Sequence, residues 1–157
     1  MKTERITLER TFDATLREVW ELWTTKDGIE SWWGPEGFHV EVHAIDLRPG
    51  GLLLYAMVAD NPDTIAFMKR QGMPTSTEAR ITYRDVVPLK RLAYSHLADF
   101  IPGVAAYDVE TVVTLEQLGS KVKMTLTFDR MHDALWTERA AAGWQMELDK
   151  LAKRLTR

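Results

Sequence analysis

The sequence predicts an α+β fold, a run of antiparallel strands covered on one face by a long C-terminal helix. Three observations predict it. Apolar and polar residues alternate with period two through most of the stretch from Phe38 to Phe128. Reversing-turn signals break that alternation at Pro49-Gly50-Gly51, Pro88-Leu89-Lys90 and Leu118-Gly119-Ser120. A proline-free amphipathic segment then closes the chain after Asp133. Strands followed by a helix imply layered packing, because each element has one apolar face to hide.

The first strand is expected at residues 4 to 12, where Ile6, Leu8 and Phe12 share one parity and Thr7, Glu9 and Thr11 the other. Thr15-Leu16-Arg17-Glu18 has the form of a capping box, with the Thr15 hydroxyl and the Glu18 carboxylate each satisfying an amide of the other residue. It opens a helix whose buried face is Leu16, Val19, Trp20 and Trp23, and Gly28 interrupts it. A second short turn carries Ile29, Trp32 and Trp33 and stops at Gly34-Pro35. Six further strands fit residues 37 to 48, 51 to 59, 78 to 87, 91 to 98, 106 to 117 and 121 to 130. Between them, Asp60 to Ser76 holds Ile65, Ala66, Phe67 and Met68 between proline-bearing ends and is expected to be a helical flap.

In the last segment Asp133 is the expected N-cap, and Trp136, Ala140, Trp144, Leu148, Leu151 and Leu155 step by four or three residues. Roughly 24 residues at about 1.5 Å each give a helix of about 36 Å, long enough to cross a whole sheet. Lys150, Lys153, Arg154 and Arg157 crowd its end, where the macrodipole favours cations. Gly143, a poor helix former beside Trp144, either lets the backbone approach the sheet or leaves room for something bound.

Composition narrows the function classes. The 157 residues are 45% apolar and 27% charged, with a net charge of −3 and no block of like charge, so one globular domain spanning 1–157 is expected and bulk-charge nucleic-acid binding is not. The longest apolar run, Leu52 to Ala59, is far short of the about 20 residues that cross a bilayer. The absence of cysteine excludes disulfides, thiolate metal sites and a cysteine nucleophile. The start at Met1-Lys2-Thr3-Glu4-Arg5 lacks the apolar stretch of a signal peptide, which makes a cytoplasmic location the expectation.

Arg10-Thr11-Phe12-Asp13-Ala14 leading into Val19-Trp20-Glu21-Leu22-Trp23, then Trp32-Trp33-Gly34-Pro35, Asp46-Leu47-Arg48-Pro49-Gly50-Gly51, Arg91-Leu92-Ala93-Tyr94-Ser95-His96 and the closing Gly143-Trp144 together resemble the START-like (SRPBCC) superfamily. Within it, the branch named for the homologue of the activator of heat-shock protein 90 ATPase is the most similar. The resemblance implies a helix-grip fold, a seven-stranded antiparallel sheet curved around the C-terminal helix with a cavity between them. It also implies binding of apolar small molecules, with catalysis in a minority of members. The eukaryotic chaperone activator has a further N-terminal domain for which 157 residues leave no room, so chaperone stimulation is not expected to carry over.

On strand parity and this family pattern, the concave face should present Phe38, Val40, Val42, Leu53, Tyr55, Met57, Ile81, Tyr83, Leu92, Tyr94, His96, Val113, Leu115, Met124, Leu126 and Phe128. The expected ligand-binding set is Trp33, Phe38, Tyr55, Met57, Tyr83, Tyr94, His96, Met124, Phe128, Trp136 and Trp144. Its few polar groups, the phenols, indoles and one imidazole, would orient a largely apolar guest. His96 is the weak candidate for proton transfer because a free imidazole titrates near neutrality, and Asp99 could orient it.

Other motifs read as structure. His39 and His43 share a strand face but stand about 13 Å apart, whereas both would have to lie about 2 Å from a shared zinc, so no metal site is expected. Pro49-Gly50-Gly51 lacks the spacing and the Lys-Ser/Thr of a phosphate loop, no Gly-x-Ser-x-Gly elbow occurs, and no cofactor is expected. Leu52, Leu54, Ala56 and Val58 should face outward as an aliphatic stripe, which suggests a homodimer or cover by the 60–76 flap. Three functions follow: a binder of a small hydrophobic molecule, a protein-interaction or chaperone-related regulatory module using the outer face, and a cyclase, dehydratase or hydrolase in the same cavity.

Overall fold

The computed structural model describes residues 5–99, 101 and 103–155. The expected strand start at Glu4, the Met1–Glu4 segment, Pro102 and Arg157 lie outside them. The elements are β1 (Arg5–Phe12), α1 (Leu16–Thr24), α2 (Lys26–Glu30), β2 (Phe38–Ile45), β3 (Leu52–Ala59), α3 (Pro62–Arg70), β4 (Ser76–Val87), β5 (Arg91–Ala98), β6 (Tyr107–Leu118), β7 (Lys121–Asp129) and α4 (Ala134–Arg154). The strands form one antiparallel sheet in the order β1-β7-β6-β5-β4-β3-β2. The α1–α2 pair carries the chain from one edge of the sheet to the other, and the meander then returns strand by strand until β7 pairs with β1. With α4 against the concave face, this is a helix-grip α+β fold.

Local chemistry sets the helix boundaries. The Thr15 hydroxyl accepts from the Glu18 amide at 3.1 Å while the Glu18 carboxylate accepts from the Thr15 amide at 3.0 Å, completing the capping box. Asn61 caps α3 with Pro62 in its first turn, and Asp133 accepts from the Trp136 amide at 2.8 Å to start α4. The 60–76 segment is thus helical in its first half, as its composition suggests. Between α2 and β2, Glu30 accepts from the Val42 amide at 2.8 Å, which ties the helix pair to the edge strand next to its register shift between Val42 and Ala44.

The core lies between the concave sheet face and the helices. Val19, Trp23, Ile29, Trp32, Leu53, Tyr83, Leu92, Val122, Met124, Leu126, Leu148 and Leu151 are all essentially sealed from solvent. Trp23 and Trp32 meet edge to face at 4.7 Å, the Trp23 indole donates to the Met124 sulfur at 3.2 Å, and the Trp32 indole donates to the Leu22 carbonyl at 2.7 Å. From β1, Arg10 reaches α4 at Gln145 (2.7 Å) and Asp149 (2.9 Å), which fixes how the helix lies across the sheet.

The outer face differs from the sequence expectation. Leu52 is exposed, but Leu54 and Val58 are half-buried and Ala56 is 3% exposed, so β3 presents no continuous aliphatic stripe. The cause is the company β3 keeps as a strand paired on both sides: Glu41 and Glu78 stand in register with Ala56 and shield it. The Pro49-Gly50-Gly51 turn is tied into the sheet, Gly50 donating to the Tyr83 carbonyl and Gly51 accepting from the Tyr83 amide. Among the described residues no helix is long and apolar enough to cross a membrane.

Candidate functional site

A cavity of about 900 Å³ lies between the concave sheet face and α4. Its walls carry Trp33, Phe38, Tyr55, Met57, Tyr94, His96, Phe128 and Trp144, so the structure brings eight of the eleven expected residues to one space. Three stand elsewhere. Tyr83 faces inward opposite Tyr94 but is packed into the core, its hydroxyl without a hydrogen-bond partner among the described residues. Met124 is sealed beneath Trp23. Trp136 packs instead against the apolar cluster of Ala98, Ile101 and Val109, with Arg139 over its ring at 5.1 Å.

The mouth follows from strand pairing. β4 pairs with β3 as far as the Ser76–Val58 rung, but its pairing with β5 begins only at the Ile81–His96 rung. Residues 76–80 therefore part from β5, which stays with β6 as far as Ala98. Thr77, Glu78, Arg80, Leu97 and Asp99 border the cavity at this split, with His43 and Leu54 beside them, and Glu78, Arg80 and Asp99 are exposed. The cavity reaches solvent here. On the helix side Gly143 borders it, and a Cβ placed at Gly143 would touch nothing within 4 Å. No sheet backbone among the described residues comes close to Gly143, so the open space beside it matches the second of the two roles read from sequence.

The feature the sequence reading missed is Glu147. It lies on the α4 face that carries Ala140 and Trp144, three residues beyond the latter, and its carboxyl borders the cavity. The Gly34 amide donates to its Oε1 at 2.8 Å, and the Lys150 ammonium donates to the Gly34 carbonyl at 2.8 Å. Gly34 has φ +97°, a left-handed backbone that lets this one residue turn both its amide and its carbonyl toward α4. Burial pushes the Glu147 carboxyl up to about 7, with the Gly34 hydrogen bond and the Lys150 charge holding it back. Burial likewise raises the Tyr55 and Tyr94 phenols, and the nearby Glu147 charge adds to both shifts. A signal existed in the sequence: an acidic residue at an apolar-face position of α4, spaced four from Gly143 and four from Leu151.

His96 borders the cavity and burial lowers its pKa, partly offset by the charge of Asp108. The carboxylate acting on it is Asp108 on β6 rather than Asp99, because β6 pairs directly with β5 while Asp99 lies beyond the end of β5 at the mouth. The other histidines form separate ion pairs. His39 meets Glu41 at 2.8 Å and Asp60 at 3.4 Å, and His43 meets Glu78 at 3.3 Å. Among the described residues no three potential ligands gather around a common metal position.

Comparison with known proteins agrees with this architecture. The family model described as Activator of Hsp90 ATPase homolog 1-like protein matches residues 13–156. No curated protein matches the chain. Among solved structures, a protein from Chromobacterium violaceum superposes with a TM-score of 0.78 at 24% identity, covering 96% of each chain. The AHSA1 protein from Silicibacter pomeroyi gives 0.74 at 21% identity, covering 97% of each. The AHSA1-like protein from Aeromonas hydrophila gives 0.74 at 21% identity, covering 96% of this chain and 90% of that one.

Proposed function

The chain belongs to the family of Activator of Hsp90 ATPase homolog 1-like proteins, and because its own fold leaves a space between sheet and helix, we propose that it binds a small hydrophobic molecule there. The observation that carries this reading is the cavity itself. At about 900 Å³ it falls within the range of small-molecule sites, and its walls are mostly apolar and aromatic with few polar groups. The parting of β4 from β5 supplies an entrance, and Met57 and Met68 line it with side chains that adapt to different shapes. Native mass spectrometry of the protein purified from its own host tests the reading. A co-purifying apolar molecule, lost on extraction with organic solvent, is the expected result. Failure both to retain such a molecule and to take up any apolar probe would reject it.

One observation favours chemistry in the same space: the His96 imidazole stands at the cavity wall, where burial lowers its pKa and so favours the neutral form that accepts a proton. On that second reading, His96→Ala abolishes turnover of a bound molecule with little change in its affinity. Association through the outer face rests on the exposed Leu52. A homodimer of that kind would dissociate in sedimentation when Leu52 is replaced by Asp.

A further inference from the structure

Within the reading that the cavity holds a small apolar molecule, the charges and rings on its walls restrict the chemistry of that molecule. One oxygen of Glu147 is committed to the Gly34 amide at 2.8 Å, while Oε2 takes no hydrogen bond among the described residues. The carboxyl shares its cavity with Trp33, Tyr55, Tyr94 and Trp144, and its charge acts on the Tyr55 and Tyr94 phenols. The Tyr55 and Tyr94 rings lie 5.6 and 6.2 Å from the Trp33 ring, centroid to centroid. A carboxylate sharing a cavity with aromatic rings suits an ammonium group, which is attracted to both.

The cationic side chains point the same way. Lys150 spends its ammonium on the Gly34 and Phe38 carbonyls at 2.8 and 3.4 Å. Arg80 and His43 belong to the exposed mouth, and burial lowers the His96 pKa, which disfavours its charged form. An acidic guest would therefore bury its charge against Glu147 with no interior cation among the described residues to meet it, whereas a basic guest would complete the site.

We propose that the cavity selects lipophilic amines, the ammonium head seated on Glu147 between Trp33, Tyr55, Tyr94 and Trp144 and the apolar body filling the space toward the mouth. The groups facing Glu147 are the Gly34 amide, Lys150 on α4 and the phenols of Tyr55 and Tyr94, and both phenols stay neutral through the physiological range. Since the free carboxyl titrates near 7, amine binding near that pH expels about half a proton and strengthens as pH rises through it.

Isothermal titration with naphthylmethylamine, naphthylmethanol and naphthoate tests this. The three share a ring system and differ only in a cationic, neutral or anionic head. The amine is expected to bind about tenfold or more tightly than the alcohol at about pH 8 and to lose most of that advantage at about pH 6. Naphthoate should bind weakest. In Glu147→Gln, whose amide oxygen can still accept from Gly34, the alcohol should bind as before and the amine should fall to its level. Alcohol binding in the variant also reports an intact cavity. If the wild type binds the alcohol or naphthoate at least as well as the amine, or if the amine advantage survives Glu147→Gln, the amine proposal is overturned while cavity binding stands. If none of the three binds, both readings fall.

Discussion

Glu147 concentrates the chemistry of the site in one residue. Its carboxyl sits at about 7 in the folded chain, above the unfolded value of 4.5, so the folded state holds the proton over a pH range where the unfolded state has released it. The sign follows: stability should fall as pH rises from about 4.5 to about 7 and level off beyond, by on the order of 3 kcal/mol from this group. Glu147→Gln, which stays neutral, should flatten that slope and raise the melting temperature at pH 8 while changing it little at pH 5. Thermal melts of the two proteins across this range check it. At Gly34, with φ +97°, replacement by Ala should destabilise by about 1–2 kcal/mol in chemical unfolding, because a side chain is strained in that conformation and the hydrogen bond to Glu147 depends on it. These two residues were unequally legible. Gly34-Pro35 announces a chain reversal, but nothing local shows that the reversal would aim an amide at a carboxyl 113 residues away.

At the level of the element, α4 does two jobs with one face. Leu148 and Leu151 are sealed into the core, while Ala140, Gly143, Trp144 and Glu147 border the cavity. Gly143 keeps the space open at the cost of a weak position in the helix. Gly143→Ala should therefore stabilise by about 0.5–1 kcal/mol, since the added methyl meets no atom and glycine is the poorer helix former. Gly143→Leu should put a larger side chain into the cavity and reduce uptake of naphthylmethanol in the same calorimetric assay, leaving helix content by circular dichroism unchanged. The sequence pattern located the Leu148 and Leu151 stripe of this helix and its Asp133 N-cap, because a 3.6-residue repeat and a capping carboxylate act within one or two turns. It also placed Trp136 with Trp144, and there it went too far. Two residues can share a helical stripe and still meet different neighbours, as Trp144 meets the main core and Trp136 the cluster of Ala98, Ile101 and Val109.

Across the whole molecule, the parting of β4 from β5 is what makes the enclosed space reachable. Amides of residues 77–80 that turn toward β5 have no ladder partner there, so alternate positions should exchange with solvent faster than those of 82–86. Hydrogen-exchange mass spectrometry should show this contrast, and filling the cavity with naphthylmethylamine should slow exchange at the split. Equal protection along β4 would argue that the entrance lies elsewhere. The sequence by itself determined the seven strands, the capped helices, the inward parity of most wall residues and the membership that its tryptophan and glycine motifs suggested. Those features rest on interactions spanning a few residues, or on an alternation that one apolar face imposes. Tertiary structure alone decided that Tyr83 and Met124 are core while Tyr55 and Tyr94 are wall, where the sheet opens, and that Glu147 faces an aromatic enclosure. Each of these depends on how far two distant segments stand apart once packed, and that separation is set by the curvature of the sheet and the lie of α4 rather than by any local pattern of residues.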